Sequence, residues 1–452
     1  MTSTPVVRPV QIAPSALLAL HAAHPSRYPA LFESAAAGTT LGRFDILFAC
    51  PQQALTLRAD GSLHGSKGSP AAGFLPALDA WWRELRVAPP SDASLPFRGG
   101  WLVYLGYELA GQIEPRLRLR SPASDLIACA VRIPAAIVFD HDCGRAWIVA
   151  ESEFEAVLAT IAADLASLTA ETAPPRDRIV EAIVEDAPER YLASVERALD
   201  YIGRGDIYQA NLSRAWRGRL CDGVRAHDLY RRLRGTNPGP FCALATFPEL
   251  AIVSSSPERL VRVHDGWIAT RPIAGTRPRG EDEAADRALV AELRAHPKER
   301  AEHIMLIDLE RNDLGRVCHA GTVQVDEYMT IESYAHVHHI VSNVRGRLRP
   351  DVGPGQAIAA VFPGGTITGC PKVRCMEIIA ELEDTARGAY TGSLGYLNRD
   401  GSMDFNILIR SLELRGSEFE LRAGAGIVAD SIPERELEEA RAKARGVLRA
   451  LA

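Results

Sequence analysis

A chain of 452 residues can bury a large core and hold two or three domains. With 47% hydrophobic and 24% charged residues it falls outside the disordered and membrane-spanning classes. A net charge of -6 and a pI near 6.1, with no basic run, exclude a nucleic-acid binder but not an anionic substrate, which would answer to local arginines. Eight cysteines show no CxxC pair and no zinc-ligand spacing, so they read as reduced thiols of a cytoplasmic enzyme. The apolar stretch at 15–23 is short, holds His21 and lacks a charged leader or cleavage site, so no signal peptide is expected. Residues 44–50 (FDILFAC), 100–105 (GWLVYL) and 135–139 read as strands, and Trp81-Trp82 as core packing on a helix. Ala173-Pro174-Pro175-Arg176 and the acidic run at 184–190 mark a linker, dividing an N-terminal region at 1–170 from a second region at 186–452. Beyond it, 191–204 has helical periodicity and 250–253 is an apolar strand. Residues 261–263 and 267–270 form a hairpin turning at His264-Asp265-Gly266. A helical pattern at 286–305 breaks at Pro297, and helices follow at 373–382 and 435–451. Helices and strands alternate without the rhythm of a Rossmann or barrel fold, which predicts a large α+β domain.

Several of these elements carry chemistry. Residues 271–280 read RPIAGTRPRG: the small Ala274 and Gly275 admit a close approach, Thr276 offers a hydroxyl, and the arginines attract anions, although a surface turn has the same composition. Glu299 with Glu302, and Glu436 with Glu439, are spaced i, i+3, so each pair shares a helical face. Four carboxylates converging from two helices suit a hard cation, yet Glu-x-x-Glu is also common on solvated helices. Residues 363–372 (PGGTITGCPK) form a glycine-rich loop emptying into a helix N-terminus, a place for a carboxylate or phosphate, but not a P-loop. Residues 423–427 (AGAGI) read as a second glycine-rich turn. Glu258 stands just past a strand, where partial desolvation fits a general acid or base; the competing reading is a salt bridge to Arg259 or Arg262. His336, His338 and His339 crowd one segment, but their spacing does not support a zinc site.

Taken in order and spacing, these blocks resemble the chorismate-utilising enzymes, the family of anthranilate, aminodeoxychorismate, isochorismate and salicylate synthases. The resemblance covers about residues 186–452 and extends more weakly before them. It implies an α+β fold of two packed sheets with outer helices, and a site in the cleft. Carried over by position, Glu258 matches the general acid that protonates the departing C4 hydroxyl, and His339 assists on that side of the ring. Glu302 and Glu439 match direct Mg²⁺ ligands, with Glu299 and Glu436 completing the site through waters. Tyr390, Arg410 and Lys443 match the groups that hold the enolpyruvyl carboxylate, while Thr276, Thr366, Gly424 and Gly426 belong to the substrate pocket. Leu31-Phe32-Glu33-Ser34 resembles the family's tryptophan-binding LLES element, which makes Glu33 and Ser34 candidate tryptophan ligands; a plain helix end is the alternative.

The family's isochorismate and salicylate synthases carry a lysine base where this chain has Gln209, so the resemblance implies ammonia rather than water as nucleophile. YQANLSR with Asn211, NPGPF at 237–241, TGCPKVRCMEII at 368–379 and DFNILIRS at 404–411 resemble aminodeoxychorismate synthase component I. One position departs. Those synthases carry a lysine nucleophile where this chain has Ala274, and alanine is the anthranilate synthase pattern. No Gly-x-Cys-x-Gly elbow with a downstream His-x-Glu occurs, which implies a separate glutamine amidotransferase subunit, or free ammonia, as the nitrogen source.

Overall fold

Residues 4–34, 42–65, 73–89, 94–168, 178–334 and 337–452 are described by the computed structural model; the linker at 173–176 and His336 fall outside them. Gly100–Leu105 and Ala135–Asp140 are buried along their whole length. An apolar run with no polar alternation does this when both faces are covered. The covering comes from two antiparallel sheets of twelve and eleven strands. Ile46, Phe48, Ala136 and Val138 of the first sheet share one apolar cluster with Leu102, Tyr104, Cys129 and Leu394 of the second, so the sheets pack face to face.

Helices close the outer faces. Ser15–Ala23, Val157–Ser167, Ala226–Thr236 and Pro433–Leu451 pack on the first sheet, and Phe74–Leu85, Pro297–Gly315 and Pro354–Val361 on the second. Trp81 and Trp82 join the latter core, with Trp81 edge-on to Trp101 at 5.5 Å. The expected break at Pro297 separates Glu283–Ala295 from Pro297–Gly315. Proline lacks the N–H that would continue one helix but suits the first position of the next.

Strands from before residue 168 and after residue 178 are interleaved in both sheets. Ala30–Glu33 pairs with Phe241–Thr246 in the first, and Gly100–Leu105 with Ser393–Asn398 in the second. Residues 423–427 are not a turn: they end the strand Glu418–Ile427, which pairs with Gln209–Leu220 over its length. Glu33 likewise ends a strand, Ala30–Glu33, rather than a helix. None of the eight cysteines is in a disulfide, and no helix among the described residues is long and apolar enough to cross a membrane.

Candidate active site

The chain crosses between the two sheets in two neighbouring places, once in each direction. Ala251–Ser256 gives way to Arg259–His264 through Pro257-Glu258, and Met403–Asn406 gives way to Ser411–Arg415 through residues 407–410. The two crossings are laced together: the Ile407 N–H donates to the Glu258 carbonyl at 3.0 Å, and the Ser256 hydroxyl to the Ile407 carbonyl at 2.6 Å. Glu258 and Arg410 are thereby neighbours. Burial pushes the Glu258 carboxyl up to about 7, against the pull of the Thr366 hydroxyl, the Ile273 backbone, Lys443 and Arg410. Arg259, the nearest candidate for a salt bridge to it, is instead paired with Asp404 through bonds of 2.8 and 3.0 Å. A buried carboxyl that titrates at about 7, close enough to Lys443 and Arg410 to feel their charges, is equipped to give up a proton.

The strand Ile273–Pro278 brings in the other wall by pairing with Val337–Arg347. His338 and His339 point to opposite faces: His338 Nε2 bonds Asp286 at 2.9 Å, while His339 Nδ1 bonds the Thr276 hydroxyl at 2.9 Å. Burial lowers the His339 pKa to about 3, and Arg410 adds to the fall. The ring is neutral at pH 7, and its Nε2 is buried without a partner among the described residues. Ala274 lies on this strand one position before Gly275, whose φ of +66° forms a bulge. A side chain at 275 would meet the Glu299 carboxylate at 2.8 Å. The glycine therefore lets the helix Pro297–Gly315 come close.

The four helix carboxylates predicted from spacing do influence one another. Burial raises the Glu302 pKa, Lys298 opposes, and the charges of Glu299, Glu439 and Glu436 add to the rise. Glu436 is also raised by burial, opposed by the Ser431 hydroxyl and pushed further by Glu439. Their counter-charges are side-chain cations: Arg277 to Glu299 at 3.0 Å, Lys298 to Glu302 at 4.0 Å and Lys443 to Glu439 at 2.8 Å. Among the described residues no three His, Cys, Asp or Glu side chains stand together as a ready metal cage. Four carboxylates from two helices nevertheless have the oxygen-donor chemistry that a hard divalent cation takes. Lys443 connects this quartet to the acid, since its charge is also felt by Glu258 and His339.

A third wall is the strand Gln209–Leu220. Gln209 Oε1 is buried with no partner, and its Nε2 lies 2.3 Å from where a side chain on Gly426 would begin. At Gly424 the same atom would strike the Leu212 carbonyl at 2.0 Å. The Asn211 amide donates to the Ile367 carbonyl at 3.1 Å, and its N–H to the Thr368 carbonyl at 3.0 Å, fastening the glycine-rich loop that holds Thr366. Asn211 also acts as a hydrogen-bond partner of the buried Tyr390 hydroxyl.

Glu33 and Ser34 are elsewhere. They line a cavity of about 420 Å³ between the sheets, with Phe32, Phe241, Tyr396 and Asp404. The Glu33 carboxylate is held by the Tyr230 hydroxyl at 2.6 Å and Arg234 at 3.0 Å. One group was missed from sequence. Glu310, buried on Pro297–Gly315, has its carboxyl pushed up to about 7 by burial and by Asp313, and the charge of Glu258 adds to the rise. Its only signal was one more acid on a helix already rich in them.

A sequence model of the family described as chorismate binding enzyme matches residues 30–449. An anthranilate synthase component I-like protein of Synechocystis is 40% identical over 416 residues, 91% of this chain and 83% of that one. Aminodeoxychorismate synthase component 1 of Bacillus subtilis is 40% identical over 395 residues, 83% of this chain and 82% of that one. The crystal structure of anthranilate synthase component I from Streptococcus pneumoniae superposes with a TM-score of 0.78 at 33% identity, covering 90% of this chain and 93% of that one.

Proposed function

The chain belongs to the chorismate-binding enzyme family, and from that premise we propose that it is the component of an aminodeoxychorismate synthase that aminates chorismate at C4. The observation that carries this reading within the family is Asn211, the side chain that joins the Thr366 loop to Tyr390. It stands in YQANLSR, one of the blocks that resemble aminodeoxychorismate synthase component I.

In this reaction a nucleophile adds at C2 as the C4–O bond breaks, and Glu258 delivers the proton with which the hydroxyl leaves as water. Ammonia then adds at C4 as the C2 substituent departs. Alanine at 274 has no nucleophile, so ammonia or water takes the C2 role. Arg410, Lys443 and Tyr390 orient the enolpyruvyl carboxylate, and Thr366 and Thr276 support the pocket. His339, neutral and fixed through Nδ1, offers Nε2 on the C4 side. Gln209 presents an amide where a base would be needed to activate water. Glu302 and Glu439, assisted by Glu299 and Glu436, would hold Mg²⁺, which when bound neutralises the ring carboxylate and withdraws electron density from the diene. Ammonia is supplied by a separate glutamine amidotransferase subunit or taken free from solution. The cavity at Glu33 and Ser34 takes tryptophan.

Ala274 itself favours a second reading, in which the amine stays at C2 and pyruvate is lost to give anthranilate. The purified chain, given chorismate, Mg²⁺ and ammonium, separates the two. p-Aminobenzoate formed only when an aminodeoxychorismate lyase is added supports C4 amination; fluorescent anthranilate formed without the lyase overturns it. Glu302→Ala and Glu439→Ala should each raise the Mg²⁺ concentration needed for half-maximal rate at least tenfold; an unchanged Mg²⁺ dependence would place the cation elsewhere.

A further inference from the structure

Behind the Tyr390 ring lies a fully buried guanidinium. Arg387 is 3% exposed, and all of its side-chain nitrogens are engaged. Nε and Nη2 grip the Glu383 carboxylate at 3.0 and 2.7 Å, and Nη2 also donates to the Asn211 carbonyl at 2.6 Å. Nη1 donates to the Ile367 carbonyl and the Thr391 hydroxyl, both at 3.2 Å. The guanidinium carbon sits 5.5 Å from the Tyr390 ring centroid and 4.9 Å from that of Tyr107. The backbone N–H groups of Arg387 and Gly388 donate to Glu108 at 2.9 and 3.3 Å. Glu383 accepts further bonds from the Ser213 N–H at 2.8 Å, the Ser213 hydroxyl at 2.9 Å and Arg422 Nη2 at 3.1 Å.

Three of these bonds from the guanidinium end on separate segments that line the candidate site. Asn211 is on the strand of Gln209, Ile367 adjoins Thr366, and Thr391 adjoins Tyr390. Arg422 extends the same network to the strand of Gly424 and Gly426. A planar fork with fixed donor directions sets the spacing of its acceptors in a way a flexible ammonium does not. Burial adds to this, because any segment that moved away would leave a donor or a carbonyl unpaired out of water.

We infer that Arg387 is a positioning residue: its fork, through Glu383 and Arg422, locks the Gln209 strand, the Thr366 loop and the Tyr390 turn into one rigid frame around the substrate's enolpyruvyl end. The substrate's place in that frame rests on the chorismate reading above; the rigidity of the frame does not. Arg387→Lys keeps the charge and the Glu383 pair but loses the bonds to Asn211 and Ile367. It should retain the wild-type circular dichroism spectrum and raise the KM for chorismate at least tenfold, with a smaller fall in kcat. A folded Arg387→Lys variant whose KM stays within twofold of wild type overturns the inference. Hydrogen exchange on the wild-type chain without substrate tests the frame independently of folding of the variant and of the reaction assigned. Peptides covering Asn211, Thr368 and Thr391 should open with one free energy and one denaturant dependence. Independent opening of the three would equally overturn it.

Discussion

Two opposed influences act on the Glu258 carboxyl: it is buried, and the charges of Lys443 and Arg410 beside it are cationic. Burial wins, and the group titrates at about 7 rather than in the usual carboxylate range. A general acid must be protonated in the free enzyme, so at saturating ammonia kcat/KM for chorismate should fall as pH rises through about 7. Glu258→Gln should lower kcat by roughly 10²–10⁴-fold, abolish that alkaline limb and leave chorismate binding intact. A variant turning over at the wild-type rate would remove Glu258 from the mechanism. The sequence offered two readings of this residue, an acid and a salt bridge, and could not choose between them because the partner that occupies Arg259 is Asp404, far away along the chain. His339 was legible in the same limited sense. The crowding of histidines marked the segment, but the opposite faces of His338 and His339 and the fixed Nδ1 of His339 depend on Asp286 and Thr276, which only the folded strands supply.

Elements explain why 423–427 was misread. Glycine and alanine in close succession have the composition of a turn, yet here they lie in a strand interior because neighbouring atoms leave no room for side chains. The two glycines differ in what crowds them, and this gives a contrast. At Gly424 a methyl group would meet the Leu212 backbone at 2.0 Å, so the strands themselves must part. Gly424→Ala should cost about 1–3 kcal/mol, as overpacking does, and show it as a lowered midpoint in chemical denaturation. At Gly426 the obstacle is the tip of the Gln209 side chain at 2.3 Å, which can swing aside. Gly426→Ala should therefore keep most of its stability and lose activity, because the amide is displaced. Equal destabilisation of the two variants would contradict this account. The carboxylate pairs show the complementary limit of pattern reading. The i, i+3 spacing identified a shared face within each helix, whereas the approach of Pro297–Gly315 to Pro433–Leu451 is a tertiary fact with no periodic signature.

Over the whole molecule, the interleaving of early and late strands in both sheets creates a large interior, and that interior holds ionisable groups buried away from solvent. The two packed sheets and outer helices follow from the family resemblance; composition and periodicity alone reached only α+β, since neither reports which distant strands pair. The buried groups make stability depend on pH in a direction that can be worked out. Glu33, Glu108, Glu258 and Glu310 titrate at about 7 in the folded chain, each raised chiefly by burial. Between the ordinary glutamate value and 7 the folded state holds protons that the unfolded state has released. Their contribution is thus fully present below that range and is lost as pH rises through 7. His141, raised by its bond to Asp45, acts with the same sign. His21 and His303, lowered to about 4, and His339, lowered to about 3, act oppositely, but only below 6.5, where the unfolded chain would bind protons that the folded chain refuses. The two sets oppose each other in mild acid, and only the carboxyls and His141 remain above it. Thermal stability should accordingly fall gently from about pH 5, where three histidines offset three of the four carboxyls, more steeply between pH 6 and 7, and level off towards pH 8, where the carboxyls are ionised folded and unfolded alike; each carboxyl contributes at most about 1.4 kcal/mol per pH unit within its titration range. Glu108 lies away from the proposed chemistry, and one of its carboxyl oxygens has no partner. Glu108→Gln keeps the acceptor that meets the Arg387 and Gly388 N–H groups but cannot ionise, so it should flatten part of that decline. Melting temperatures of both chains across pH 5–8 make the test. A wild-type curve that rises between 6.5 and 8, or one that Glu108→Gln leaves unchanged in slope, would show that these carboxyls are not held protonated by the fold.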